Sequence, residues 1–101
     1  MFQNGMRPIH PGEILREEYL QPLGLSAAAL ARALHVSTPT VNDILRQRRG
    51  VSADMALRLA AALGTSAQFW LNLQTAHDLR KAEIEKGELI AHEVERLAHC
   101  A

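Results

Sequence analysis

The chain has 101 residues, 48% of them hydrophobic but only 4% aromatic, which bounds it to one compact domain with room for a tail or an appended helix. Its formal net charge is zero, and its single cysteine, Cys100, sits beside the last residue, so an internal disulfide framework is excluded and a reducing, cytoplasmic setting fits best. Alanine and leucine supply most of the apolar content while valine and isoleucine are scarce, so the composition predicts an all-α fold.

The opening "MFQNGMRPIHPG" lacks a basic stretch followed by an apolar one, which argues against a signal peptide; residues 1–8 read as a flexible start. The first helix is expected at "HPGEILREEYL". Pro11 suits the first helical position and Glu13 the first turn, where negative charge meets the helix dipole. His10 and Glu13 lack the order of a helical zinc motif and have no third ligand nearby, so both read as helix-start residues. Pro22 and Gly24 end this helix.

Ser26 is a good N-cap for a second helix, "AAALARAL", with Leu30, Ala31 and Leu34 on one face. After the short link "HVS", Ser37 caps a third helix whose apolar stripe is Val41, Ile44 and Leu45. Two helices joined by three or four residues suit a helix-turn-helix, with Ala31 as the small packing residue and Val36 plugging the junction; a plain helical bundle shares this pattern. Ser52 caps a fourth helix with Met55, Ala56, Leu59, Ala60 and Leu63 inward, ending at Gly64. Thr65 to Gln68 reads as a Thr-x-x-Gln capping box for a fifth helix with Phe69, Leu73, Ala76, Leu79 and Ala82 in its stripe. Gly87 is expected to interrupt it, and Ile90, Val94 and Leu97 then resume helical spacing. The run from Leu59 to His77 is charge-free but broken by Gly64 and several polar residues, so it is no membrane span.

At 100° per residue, the third helix turns Pro39, Asp43 and Arg46 away from its core stripe, flanked by Thr38 and Asn42. Short polar groups at the start of a helix suit base edges in the major groove. Asn42 can read adenine bidentately, Asp43 can accept from cytosine, and Thr38 and Pro39 can meet a thymine methyl. Arg46, Arg48 and Arg49 follow where the DNA backbone would pass, and phosphate contacts supply affinity there without sequence information. Cations at a helix C-terminus also favour the helix dipole, a structural role for the same residues.

The stretch from Leu25 to Gln74 resembles the phage-repressor (XRE) class of helix-turn-helix domains. With "HPGEILREEYLQPLGLS" before it and "FWLNLQTAHDL" spanning its end, the resemblance narrows to HigA-like antitoxins, over Ile9 to Leu79. It implies a five-helix DNA-binding domain at residues 9–79, followed by a C-terminal helical extension at 80–101. It further implies a dimer on a palindromic operator, repression of its own operon, and neutralisation of a RelE-like messenger-RNA-cleaving toxin. Carried over by position, Thr38, Pro39, Asn42 and Asp43 would read bases, with Ser37 and Thr40 near phosphates; Ser26, at the start of the second helix, joins the phosphate set. Two departures stand out: Ala27 replaces a common glutamine, and Thr38 replaces an arginine frequent in such antitoxins. Both remove polar reach, so neither operator sequence nor affinity transfers from relatives.

Phe69, Trp70 and Leu71 are consecutive large apolar residues that one helix face cannot bury. Part of this cluster can pack under the first helix while the rest meets another subunit, so a homodimer is expected with Phe69, Trp70 and Leu73 at its interface; the alternative is a wholly buried fifth helix. His35, His77, His92, His99 and Cys100 lack a common metal-ligand spacing and read as solvated. There is no nucleophile–base grouping and no phosphate loop, so no enzyme, cofactor or metal is expected. Residues 1–64 carry seven Lys/Arg against five Asp/Glu and residues 65–101 four against six, which suits different partners at the two ends. A stand-alone repressor without a toxin is the alternative function.

Overall fold

The computed structural model describes residues 7–97, and among them there is helix and no strand. Five helices follow one another. Helix α1 covers residues 11–23 in three continuous pieces: an α-helical turn Pro11–Ile14, a π-helical stretch Leu15–Leu20, and a last turn Gln21–Leu23. Then come α2, Ala27–Leu34; α3, Thr38–Leu45; α4, Ala53–Leu63; and α5, Ala67–Glu93.

The wider winding of α1 has a local cause. Pro22 has no N–H, and its ring would strike the carbonyl four residues back in a regular α-helix. The backbone accommodates it by widening, with Gln21 N–H donating to the carbonyl of Arg16, five residues back.

Serines cap α2, α3 and α4 as their sequence positions predict. Ser26 Oγ accepts from Ala29 N at 3.0 Å, Ser37 Oγ from Thr40 N at 3.3 Å and Ser52 Oγ from Met55 N at 3.1 Å. The start of α5 differs from expectation. Ser66 is the N-cap, accepting from Phe69 N at 3.0 Å, while Thr65 Oγ1 accepts from Trp70 Nε1 at 2.7 Å. The Thr-x-x-Gln box does not form because a buried indole N–H needs that hydroxyl more than the backbone does.

Leu15, Leu20, Leu30, Ala31, Leu34, Val41, Ile44, Val51, Met55, Ala56, Leu59 and Trp70 form one core. Helices α2 and α3 pack together, α4 packs on α2 and α5, and α1 closes the core against α3 and α5. Burying each large aliphatic side chain contributes about 1.5–3 kcal/mol relative to leaving it in water.

Helix α5 corrects two expectations. It runs through Gly87 without a break, since one interior glycine costs only about 1 kcal/mol among strong helix formers such as Lys86, Glu88 and Leu89. The boundary between residues 79 and 80 therefore falls inside one helix. At 1.5 Å per residue this helix is about 40 Å long, and the molecule measures 51 × 25 × 21 Å. Its inward face is also not the predicted stripe. Trp70 is fully buried, with Gln74 and His77 half-buried at the following helical spacings, whereas Leu79 is 55% exposed and Ala76 and Ala82 are exposed. No helix among the described residues is long and apolar enough to cross a membrane.

Candidate nucleic-acid interface

The α2–turn–α3 unit has two capped helix N-termini, each with an exposed serine, Ser26 and Ser37. The turn begins with a reversal at His35, whose φ is 60°; Val36 N–H reaches back to the carbonyl of Ala31 at 3.1 Å. Val36 packs against the core, as the junction residue should.

Helix α3 buries Val41 and Ile44, each 1% exposed, and half-buries Leu45. Its other side presents exposed Pro39 and half-buried Thr38, Asn42 and Asp43. Thr40 is half-buried, and its hydroxyl lies 2.8 Å from Ser37 Oγ, so these two groups form a pair at the helix start.

The basic loop is built by backbone geometry. Gln47 takes the left-handed conformation at φ 64°, Gln47 N–H donates to the Ile44 carbonyl at 3.0 Å, and Arg48 N–H to that of Asp43 at 2.8 Å. This paired reversal satisfies the last carbonyls of α3 and folds the chain back along it. Arg46, Arg48 and Arg49 are exposed as a result. Arg49 Nη2 comes within 4.0 Å of Asp43 Oδ2 and offsets the one acidic charge on the recognition face. In water a pair at this spacing is weak, so the guanidinium remains free to reach a phosphate.

Two groups outside the helix-turn-helix hold this loop. Gln74 Oε1 on α5 accepts from Val51 N at 2.7 Å, and Gln74 Nε2 donates to Asp78 Oδ1 at 2.9 Å. His10, 4% exposed, caps α1 by accepting from Gly12 N at its Nδ1 (2.9 Å), and its ring also meets the backbone of Arg49. His10 meets His77 edge to face, ring centres 4.8 Å apart, and His77 Nδ1 lies 3.2 Å from Asp78 Oδ1. Burial, chiefly, and then the neighbouring His77 push the His10 pKa below its ordinary value; Asp78 and the Arg49 backbone oppose this. His77 is thus a half-buried contact residue and not the solvated side chain expected. The sequence signal for these groups was present in the pairing of "HPGE" with "FWLNLQ", but their meeting point was not.

The three residues assigned to a subunit interface separate. Phe69 is 36% exposed, Leu73 is half-buried, and Trp70 has no exposed surface. Trp70 is therefore a core residue of the protomer, beyond the reach of a second subunit, because its indole closes the core beneath Tyr19 and Phe69. Among the described residues no three His, Cys, Asp or Glu side chains are grouped to hold a metal ion. His92 is exposed on α5, while His99 and Cys100 lie outside the described residues.

Comparison with known proteins agrees with this geometry. The helix-turn-helix family pattern matches residues 17–70. Virulence-associated protein I of Dichelobacter nodosus is 62% identical over 87 residues, covering 86% of this chain and 81% of that protein. The antitoxin GraA is 69% identical at a TM-score of 0.91, covering 92% of this chain and all of that one. GraA in complex with its operator matches at 66% identity and a TM-score of 0.89, covering 97% of this chain and 99% of that one. The Pseudomonas aeruginosa antitoxin HigA, solved with the higBA promoter, is 60% identical at a TM-score of 0.87, covering 91% of this chain and 100% of that one. This chain belongs to the helix-turn-helix family of XRE type, among the HigA-like antitoxins.

Proposed function

We propose that this protein is a sequence-specific DNA-binding antitoxin that represses its own operon. It acts as a homodimer on a palindromic operator in the cytoplasm, and it neutralises a RelE-like messenger-RNA-cleaving toxin by direct binding. The observation that carries the DNA half is an exposed α3 face beside an arginine loop, in a chain similar throughout to antitoxins solved on operator DNA. Thr38, Pro39, Asn42 and Asp43 read base edges in the major groove. Ser26, Ser37 and Thr40 meet phosphates at the two helix N-termini, where N–H groups and the helix dipole favour anions. Arg46, Arg48 and Arg49 bind the flanking backbone.

Self-association is supported by the apolar side chains that α5 leaves in water, among them Phe69, Leu79, Ile84 and Ile90. A two-fold dimer places two α3 helices in half-sites about one DNA turn apart, roughly 10 base pairs.

The test is affinity purification of the tagged chain from its native host, with co-purifying polypeptides identified by mass spectrometry. A stoichiometric small basic protein that arrests growth when expressed alone supports the toxin partner. A homodimer that shifts its own upstream DNA and brings no partner would leave a stand-alone repressor, and the antitoxin reading would fall.

A further inference from the structure

The arginine loop touches two residues that contribute nothing to the recognition helix itself. Val51 N–H, at the end of the loop, is bound at 2.7 Å by Gln74 from α5. Gly50 lies so close to the Gln74 amide that a β-carbon there would come within 2.9 Å of it. Gln74 is in turn fixed by Asp78 one helical turn on, at 2.9 Å. From the other side, His10 is fixed as the α1 cap by Gly12 N and its ring meets the backbone of Arg49. Its ring rests on His77, which adjoins the same Asp78. The loop is thus met at both edges by side chains from outside the helix-turn-helix, the α1 cap and α5.

We propose that Gln74 and His10 are positioning residues for DNA binding: they clamp the backbone of residues 49–51 and so pre-set Arg46, Arg48 and Arg49 against the phosphates. A loop closed at only one end would have to be ordered on each binding event, and the entropy of fixing those residues would be lost from affinity. The clamp removes that cost in advance. It also explains why a polar glutamine and two histidines occupy the inward side of α5 and its α1 contact, where apolar residues would otherwise pack. This inference rests on the assignment of the arginines to phosphate.

The experiment is a mutant cycle read by equilibrium binding to two duplexes of equal length, one from the gene's own upstream region and one with that sequence scrambled. Gln74→Met keeps the length and helix preference of the side chain and removes its acceptor. It is expected to weaken both duplexes by a similar, several-fold factor, leave their ratio unchanged, and lower the log–log salt slope by about one. Arg48→Ala, expected to weaken the parent protein by about fivefold or more, should then have an effect of less than about twofold in the Gln74→Met background, because coupled residues do not add.

If the two substitutions multiply independently, Gln74 does not act through the loop and the proposal is overturned. The same holds if Gln74→Met erodes the ratio between duplexes instead of the slope, which would mark a general loosening of the domain. His10→Asn repeats the cycle from the opposite edge, keeping an acceptor for Gly12 N while removing the ring that meets the Arg49 backbone, so the test does not hang on one variant. If Arg48→Ala changes neither affinity nor slope in the parent protein, the phosphate assignment itself fails, and the clamp with it.

Discussion

The Cα of Gly12 in α1 faces the backbone carbonyl oxygen of Ile44 in α3 so closely that a β-carbon built on Gly12 would overlap that oxygen. Both residues are buried, and neither backbone can retreat without opening the core. Gly12→Ala is therefore expected to push α1 away from α3 and cost about 1–3 kcal/mol, as overpacking of a rigid site does. Urea denaturation would check it; a midpoint unchanged from the parent protein would mean that the helices are free to separate.

Gln47 holds a left-handed conformation that costs a side chain about 1–2 kcal/mol relative to glycine. Gln47→Gly should relieve part of that strain, offset by the greater chain entropy of glycine when unfolded. The expected outcome is a melting temperature raised by about 2–5 °C, with the affinity for scrambled duplex unchanged. Thermal melts followed by circular dichroism decide it, and a lowered midpoint would show that the Gln47 side chain contributes more than its backbone costs.

His10 makes stability depend on pH. Burial holds its folded pKa below the ordinary value near 6.5, so the neutral ring is favoured when folded. Below pH about 6.5 the unfolded chain binds more protons at this site than the folded one, and stability must fall as pH falls until the folded pKa is passed. Above about 6.5 both states are neutral and the contribution is flat. Unfolding free energies of parent and His10→Asn at pH 5 and 7.5 test this: the parent should lose more on acidification than the variant. The reverse order would mean that the buried ring is protonated.

Phe69 and Trp70 adjoin in sequence, stack edge to face at 5.0 Å, and do different jobs. Trp70→Ala empties the core and should cost about 3–5 kcal/mol of folding stability. Phe69→Ser combined with Leu79→Ser should leave the melting curve of the protomer nearly intact while weakening self-association. Sedimentation velocity across a concentration series reads the second effect; a dimer that survives both serines is held elsewhere.

Asn42 and Arg48 should separate specificity from affinity. Asn42→Ala is expected to reduce discrimination between operator and scrambled duplex by about 1–3 kcal/mol, if its contact to a base is bidentate. Arg48→Ala should weaken both duplexes alike and flatten the salt slope. Competition binding at two salt concentrations distinguishes them, and identical behaviour of the two variants would end this division of labour.

Much of the molecule follows from local chemistry. Ser26, Ser37 and Ser52 each begin a helix because a hydroxyl beside three free N–H groups acts over a few bonds. Val41 and Ile44 are inward and Pro39 outward because 3.6 residues make a turn, whatever lies around the helix. The arginines cluster after α3 in the chain itself. What the sequence could not determine lies wherever two distant segments compete for one group. Thr65 reads as a cap until the indole of Trp70 takes its hydroxyl, and Gly87 reads as a break until its neighbours carry the helix through. The same limit hid the inward face of α5, whose apolar stripe of Phe69, Leu79 and Ala82 looks to solvent while Gln74 and His77 turn in. Periodicity measures how apolar a face is and cannot see that the surface opposite is a backbone loop needing hydrogen bonds. That loop meets α5 only in the packed fold, through Val51 N and Gln74, so its polar partners are decided by tertiary structure alone.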